Sequence, residues 1–125
     1  MFSLFVLLVL NRLPKHAELY LQGIPVGYVE VSRCADSWQF GSFQPLREFS
    51  RFAPLFGEWS LLIHADENEM QLSRAASDEL RKLEFAIDAL HAELLVPETG
   101  QRLHVDQLNI DGDLIECKVI DRHHA

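Results

Sequence analysis

The chain has 125 residues, of which 48% are hydrophobic and 24% are charged, and its net charge is −8. These globular values exclude a disordered chain, collagen and a disulfide-dense scaffold. The absence of any Lys/Arg cluster argues against binding nucleic acid or an anionic membrane surface. Residues 1–60 are neutral, with five basic and five acidic side chains, so the excess negative charge lies in residues 61–125. The net negative charge therefore favours a basic partner or a cation.

The amino-terminal segment, residues 1–13, begins with ten residues of which only Ser3 is polar. This is about half the length that a membrane-spanning helix needs. The basic region and the cleavage site of a secretory signal are also missing. We interpret the segment as a buried first strand or as an extension outside the native fold, with a weak membrane-surface anchor formed by residues 1–10 as the alternative. Residues 14–125 are predicted to form a single domain.

Alternating apolar and polar residues predict two strands at the start of this domain, residues 16–22 and 26–33. The short link 23–25, Gly-Ile-Pro, joins them as a β-hairpin. Residues 38–43 are a plausible third strand, which completes a meander.

The helical repeat begins after this meander. A short helix or turn ends at Pro54, and a second helical run follows it, with a buried strand over 60–64 as the competing prediction. The clearest element is a long amphipathic helix, since its apolar residues are spaced 4-3-4-3-4. This apolar stripe consists of Ala76, Leu80, Leu83, Ile87, Leu90 and Leu94.

Two further strands are predicted at the end of the chain, residues 102–110 and 114–120. The dipeptide Asp111-Gly112 between them is typical of a two-residue hairpin turn. The apolar phase slips near Gln107, which indicates a β-bulge. The element order β-β-β-α-α-β-β predicts an α+β fold, a largely antiparallel sheet with the long helix packed on one face.

The aromatic/Arg region between Trp38 and Trp59 holds seven aromatic side chains with Arg47 and Arg51 interleaved. Aromatic residues with Arg are typical of interface hot spots, while the core and a small-molecule pocket are the alternatives. We predict a small, non-enzymatic, cytoplasmic domain without a cofactor. It would bind a protein partner, or another copy of itself, through this region and an acidic helix face. The predicted binding residues are Trp38, Phe40, Arg47, Arg51, Phe56 and Trp59.

A pair of His-x-Asp triplets supports an alternative function, a metal-assisted enzyme of the hydrolase type. Residues two apart on a strand share a face, so each triplet offers an imidazole beside a carboxylate. Two such pairs that meet would hold a divalent metal or perform acid–base catalysis. The metal-ligating or catalytic residues would be His64, Asp66, His104 and Asp106.

Overall fold

The computed structural model describes residues 16–69 and 74–120, with the side chains of 66–69 excepted, so that the segment 1–13 lies outside the described residues. The strands are β1 (His16–Leu21), β2 (Ile24–Ala35), β3 (Trp38–Pro45), β4 (Glu93–Val96), β5 (Gln101–Asp111) and β6 (Leu114–Ile120). Between β3 and β4 the chain forms a short 3-10 helix (Arg47–Arg51) and the helices α1 (Ala53–Glu69) and α2 (Arg74–Asp88).

The six strands close into an antiparallel barrel in the order β1-β2-β3-β6-β5-β4. The barrel closes through β4, where Leu94 pairs with Leu19 of β1 on one side and with Leu103 of β5 on the other. This finding corrects the predicted fold class. The predicted order lacks β4, and without that strand the sheet could not close. Within the described residues the barrel replaces the expected sheet covered by one long helix.

The predicted long helix is wrong because its stripe runs through a helix, a turn and a strand. Helix α2 ends at Asp88, and His91 then adopts a left-handed φ of 52° that interrupts the helical path. Ala92, Leu94 and Val96 are buried at every second position, which is the period of a strand. The helical spacing of the stripe therefore continues past the helix by coincidence.

The predicted bulge near Gln107 is confirmed. The register between β5 and β6 shifts between Asp106 and Asn109, and Gln107 has a φ of 50°. Because the bulge adds one residue, Val105 before it and Leu108 after it are both buried. The predicted hairpin after β5 also forms, although its two-residue turn consists of residues 112–113.

The core fills the barrel and continues beneath the two helices. Buried apolar side chains come from all six strands, and residues of α1 and α2 belong to the same cluster. Both helices contact β5, and the indole N–H of Trp59 in α1 donates a hydrogen bond to Glu84 of α2 over 3.4 Å. The core thus holds α1 against the barrel, where it forms one wall of the groove described next. The helical side chains in the core include Phe56, Trp59, Leu83 and Ile87.

Candidate functional site

An open groove of about 670 Å³ lies between helix α1 and strands β2, β3, β5 and β6, and we call it the α1 groove. Four of its lining residues form one cross-strand row on neighbouring strands: Arg33, Phe40, Glu116 and Asn109. Their neighbours Gln39 and Cys117 are buried, so the row itself faces outward. The volume of the α1 groove falls within the range of about 300–1,000 Å³ that is usual for ligand sites.

One end of this row forms an aromatic platform, the Arg33–Phe40–Trp38 platform. Trp38 and Phe40 lie two residues apart on β3 and therefore share a face, and their rings stack with centroids 6.3 Å apart. The guanidinium carbon of Arg33 on β2 lies 4.5 Å from the centroid of the Phe40 ring. Pairing between β2 and β3 thus brings together an arginine and an aromatic ring that lie seven residues apart in sequence.

The carboxylates in the α1 groove each have a partner. His64 Nε2 and Asp111 Oδ2 are 2.8 Å apart, a contact that links α1 to the end of β5. Asn109 donates its side-chain N–H to Glu116 Oε1 over 3.0 Å. Both carboxylates of the groove therefore have a side-chain partner within the protein itself.

Arg33 differs from these carboxylates. Among the described residues no carboxylate lies within 4.0 Å of its guanidinium. Apolar surface lies nearby, because Ile63 lines the groove and the side chain of Leu114 is 63% exposed. The groove therefore combines a cation that has no ion-pair partner in the described part of the chain with an apolar wall.

The predicted binding residues fall in three places. Trp38 and Phe40 belong to the platform, and both are half-buried. Phe56 and Trp59 are buried in the core, as the alternative interpretation had it, and Trp59 also lines the α1 groove. The remaining two are Arg47 and Arg51, exposed residues of the 3-10 helix that do not line the α1 groove.

Sequence reasoning missed Arg33, Leu114, Asn109 and Glu116. These residues lie on three strands, and only strand pairing makes them neighbours. The one local signal that could have pointed to the site was Leu114, an apolar residue beside a hairpin turn.

The two His-x-Asp triplets do not come together. His64 lies on helix α1, where a residue two positions later faces elsewhere, and the side chain of Asp66 lies outside the described residues. His104 lies seven residues before Asp111, the partner of His64, so strand geometry places its Cα roughly 20 Å from that of Asp111. Among residues 16–65 and 74–120 no group of three or more His, Cys, Asp or Glu side chains could hold a metal ion.

His104 and Asp106 have local partners. His104 Nδ1 lies 3.4 Å from Glu93 Oε2 on the neighbouring strand β4. Asp106 Oδ1 accepts a hydrogen bond from the backbone N–H of Gln107 at the bulge. The second triplet is therefore tied into the pairing of β5 with β4 and into the bulge.

A pair of carboxyl groups, Asp88 and Asp106, lies where α2 ends beside the bulge of β5. Partial burial raises the pKa of Asp88, and the charge of Asp106 and a hydrogen bond with that carboxyl raise it further. Glu84 adds a smaller repulsion, whereas the backbone N–H of Gln107 opposes the shift in the pKa. This pair makes the end of α2 sensitive to pH.

The expected acidic helix face is less acidic on α2 than the composition suggested. This helix carries four acidic and three basic residues, and Arg81 donates to Asp78 over 3.1 Å. The acidic run 66–69 at the end of α1 belongs to the residues whose side chains are not described. The described part of the helical layer is therefore of mixed charge.

Comparisons with known proteins provide no relative from which a function could be transferred. No protein-family model, no curated protein and no solved structure matches this chain. Within residues 16–69 and 74–120, neither helix has the length and apolar content needed to cross a membrane. The chemistry of the α1 groove is therefore inferred from its own side chains.

Proposed function

We propose that this protein is a small, non-enzymatic interaction domain that holds a segment of a protein partner in the α1 groove. The observation that carries the proposal is the outward row across β2, β3, β6 and β5, which ends in the Arg33–Phe40–Trp38 platform. Arginine and large aromatic side chains contribute most to binding at protein interfaces.

The apolar part of the groove supports the same proposal. Leu114 exposes 63% of its surface at the rim and lies on the cross-strand row that neighbours Phe40. Covering such a side chain releases roughly 25 cal/mol per Å² of apolar area. A partner that contacts both Leu114 and the platform would bury apolar surface and a cation at one site.

The cysteines support a reducing compartment, which we propose is the cytoplasm. Cys34 and Cys117 are both free thiols. Burial, followed by the neighbouring charge of Glu116, raises the pKa of Cys117 to about 12, so its thiol is unreactive at neutral pH. A domain whose two cysteines are not bridged needs no oxidising environment to fold.

Selection from a displayed library of random peptides tests the proposed function. Peptides selected on the wild-type protein are measured against Leu114→Arg, which places a charge on the rim of the groove. Leu61→Arg is the matched control, because Leu61 is 74% exposed on α1 and does not line the groove. We expect the selected peptides to bind wild type and Leu61→Arg equally and Leu114→Arg at least about tenfold more weakly.

Two results would contradict the proposal. The library would yield no peptide that binds the wild-type protein, or the selected peptides would bind Leu114→Arg as tightly as wild type. Thermal melts of both variants check that a weaker interaction reflects the groove and not the fold. Since both leucines are exposed, we expect their melting temperatures to stay close to that of wild type.

A further inference from the structure

We propose that the α1 groove recognises a carboxylate that lies beside an apolar side chain of the partner. This inference rests on the proposed function, because it specifies the chemistry of the segment that the groove would hold. The occupant that we propose is a C-terminal apolar residue such as phenylalanine, which presents this pair of groups.

Both carboxylates of the groove have side-chain partners, whereas its arginine has no ion-pair partner among the described residues. Asp111 is 2.8 Å from the imidazole of His64, and Glu116 accepts a hydrogen bond from Asn109. Arg33 has no carboxylate within 4.0 Å in the described part of the chain. A ligand that brings an anion to Arg33 would therefore add an ion pair and would break none of these contacts.

The stacking of Arg33 on Phe40 prepares the guanidinium for such a ligand. A guanidinium is planar, and its N–H donors lie along its edge in a fork that matches the two oxygens of a carboxylate. The guanidinium carbon lies 4.5 Å from the ring centroid, so the ring supports the charged group and limits its motion. Less conformational entropy is lost on binding when the donor is already positioned.

The side chains around Arg33 indicate what kind of group the ligand carries beside its carboxylate. Phe40, Ile63 and the exposed Leu114 line the same groove, so the group attached to the carboxylate meets apolar surface. The net charge of −8 does not oppose this arrangement at short range. At physiological ionic strength, charges farther away than about 8 Å are largely screened, whereas the guanidinium would contact the ligand directly.

Dansyl-phenylalanine and its amide are a suitable pair of fluorescent probes. The two molecules share the same apolar body, and only the first carries a carboxylate. We expect dansyl-phenylalanine to bind wild type about threefold more tightly than the amide, since Arg33 is exposed and an exposed ion pair contributes only a modest free energy. The enhancement of dansyl fluorescence on titration with protein gives both dissociation constants.

Two arginine variants assign this preference to one residue. Arg33→Gln removes the cation, and we expect it to bind the acid and the amide equally well. Arg102→Gln is the matched control, because Arg102 lies 5.4 Å from the ring of Tyr20, does not line the groove, and already pairs with Glu93. We expect Arg102→Gln to keep the full preference for the acid.

Each outcome supports or overturns the inference. Loss of the preference in Arg33→Gln alone supports it. It is overturned if dansyl-phenylalanine does not bind, if wild type does not distinguish the acid from the amide, or if Arg33→Gln still does. If both probes bind equally and Leu114→Arg weakens both, the groove binds apolar groups and only the carboxylate inference fails. Failure of the peptide selection would instead count against the proposed function.

Discussion

Two arginines stack on aromatic rings of the barrel, and they differ in what else they contact. Arg33 lies 4.5 Å from the ring of Phe40, and Arg102 lies 5.4 Å from the ring of Tyr20. Arg102 also donates to Glu93 over 3.3 Å, whereas Arg33 has no such carboxylate among the described residues. Stacking therefore positions each guanidinium, while the neighbouring charges decide whether it can still pair with a partner.

The surroundings of the two arginines reinforce this difference. Arg33 belongs to a groove with a helical wall, an exposed leucine and carboxylates that already have partners. Arg102 lies on β5 opposite Leu95 of β4, where its contact with Glu93 links the two strands. We therefore assign a binding role to the first arginine and a structural role to the second, and four experiments test the basis of this assignment.

Truncation of a buried side chain of α1 should have the largest effect on stability. Phe56 is 2% exposed in the core that holds α1, the helical wall of the groove, against the barrel. Replacing a buried phenylalanine with alanine costs about 3–5 kcal/mol, so we expect Phe56→Ala to lower the free energy of unfolding by about 4 kcal/mol. Urea denaturation measures this loss.

The matched control for this variant is Phe85→Ala on α2. Phe85 is 77% exposed, and its truncation should change stability by about 0.5 kcal/mol or less. If the two variants lost the same stability, Phe56 would not be the support of the groove wall that we describe.

A substitution where β2 and β3 approach closely should lower stability nearly as much. A Cβ atom at Gly41, beside Phe40, would collide with the backbone carbonyl of Glu30, which side-chain motion cannot relieve. We expect Gly41→Ala to destabilise the protein by roughly 3 kcal/mol. In Gly57→Ala the new Cβ meets open space on α1, and the alanine should stabilise the helix by roughly 0.5–1 kcal/mol. Equal shifts of the urea midpoint in both variants would show that the strands do not require glycine here.

The Asp88–Asp106 pair should lower stability at neutral pH, because two like charges lie close together there. The pKa of Asp88 is raised above its ordinary value of 3.8, so the native state binds its proton more tightly than the unfolded chain does. Stability from this group is therefore present below pH 3.8 and is lost as the pH rises through the raised pKa. We expect Asp88→Asn to be more stable than wild type at pH 7 and to lose this advantage below about pH 4.

Urea denaturation across this pH range measures the effect on Asp88. Asp78→Asn is the control, because Asp78 is exposed and pairs with Arg81, so it should not gain stability at pH 7. A stability difference between Asp88→Asn and wild type that did not change with pH would contradict the assignment of the shift to titration of Asp88.

The smallest expected effect compares the two arginines directly. Both Arg33→Gln and Arg102→Gln lose a contact with an aromatic ring, but only the second also loses an ion pair. We expect Arg102→Gln to cost up to about 0.5 kcal/mol more stability than Arg33→Gln at low salt. This excess should vanish in about 1 M salt, where exposed ion pairs are screened. An equal loss in the two variants at low salt would remove the distinction between them.

Local patterns were sufficient to locate many of the elements. Alternation places strands over most of β1, β2, β3, β5 and β6, and a phase slip correctly predicts the bulge at Gln107. These signals succeed because the period of side-chain burial is set by backbone geometry within a few residues. The four-residue strand β4 is too short to stand out beside a helical stripe with which it happens to stay in phase.

The site was harder to predict than the elements. The sequence prediction selected aromatic and arginine residues, but their density in sequence did not separate the buried Phe56 and Trp59 from the outward Trp38 and Phe40. The His-x-Asp pattern has a related limit, because spacing along the chain carries no information on which strand or helix lies opposite. His64 contacts the carboxylate of Asp111, which lies 47 residues later in the chain.

The amino-acid sequence alone located five of the six described strands, identified which side chains are apolar, and showed that the chain carries a net negative charge. Tertiary contacts were needed to show that β4 closes a barrel, that α1 forms a groove with four strands, and that Arg33 lies over Phe40 with no described carboxylate beside it. The physical reason is the range of the interactions. Hydrogen bonding and side-chain period act within a few residues, whereas strand register brings together groups that are far apart in the chain.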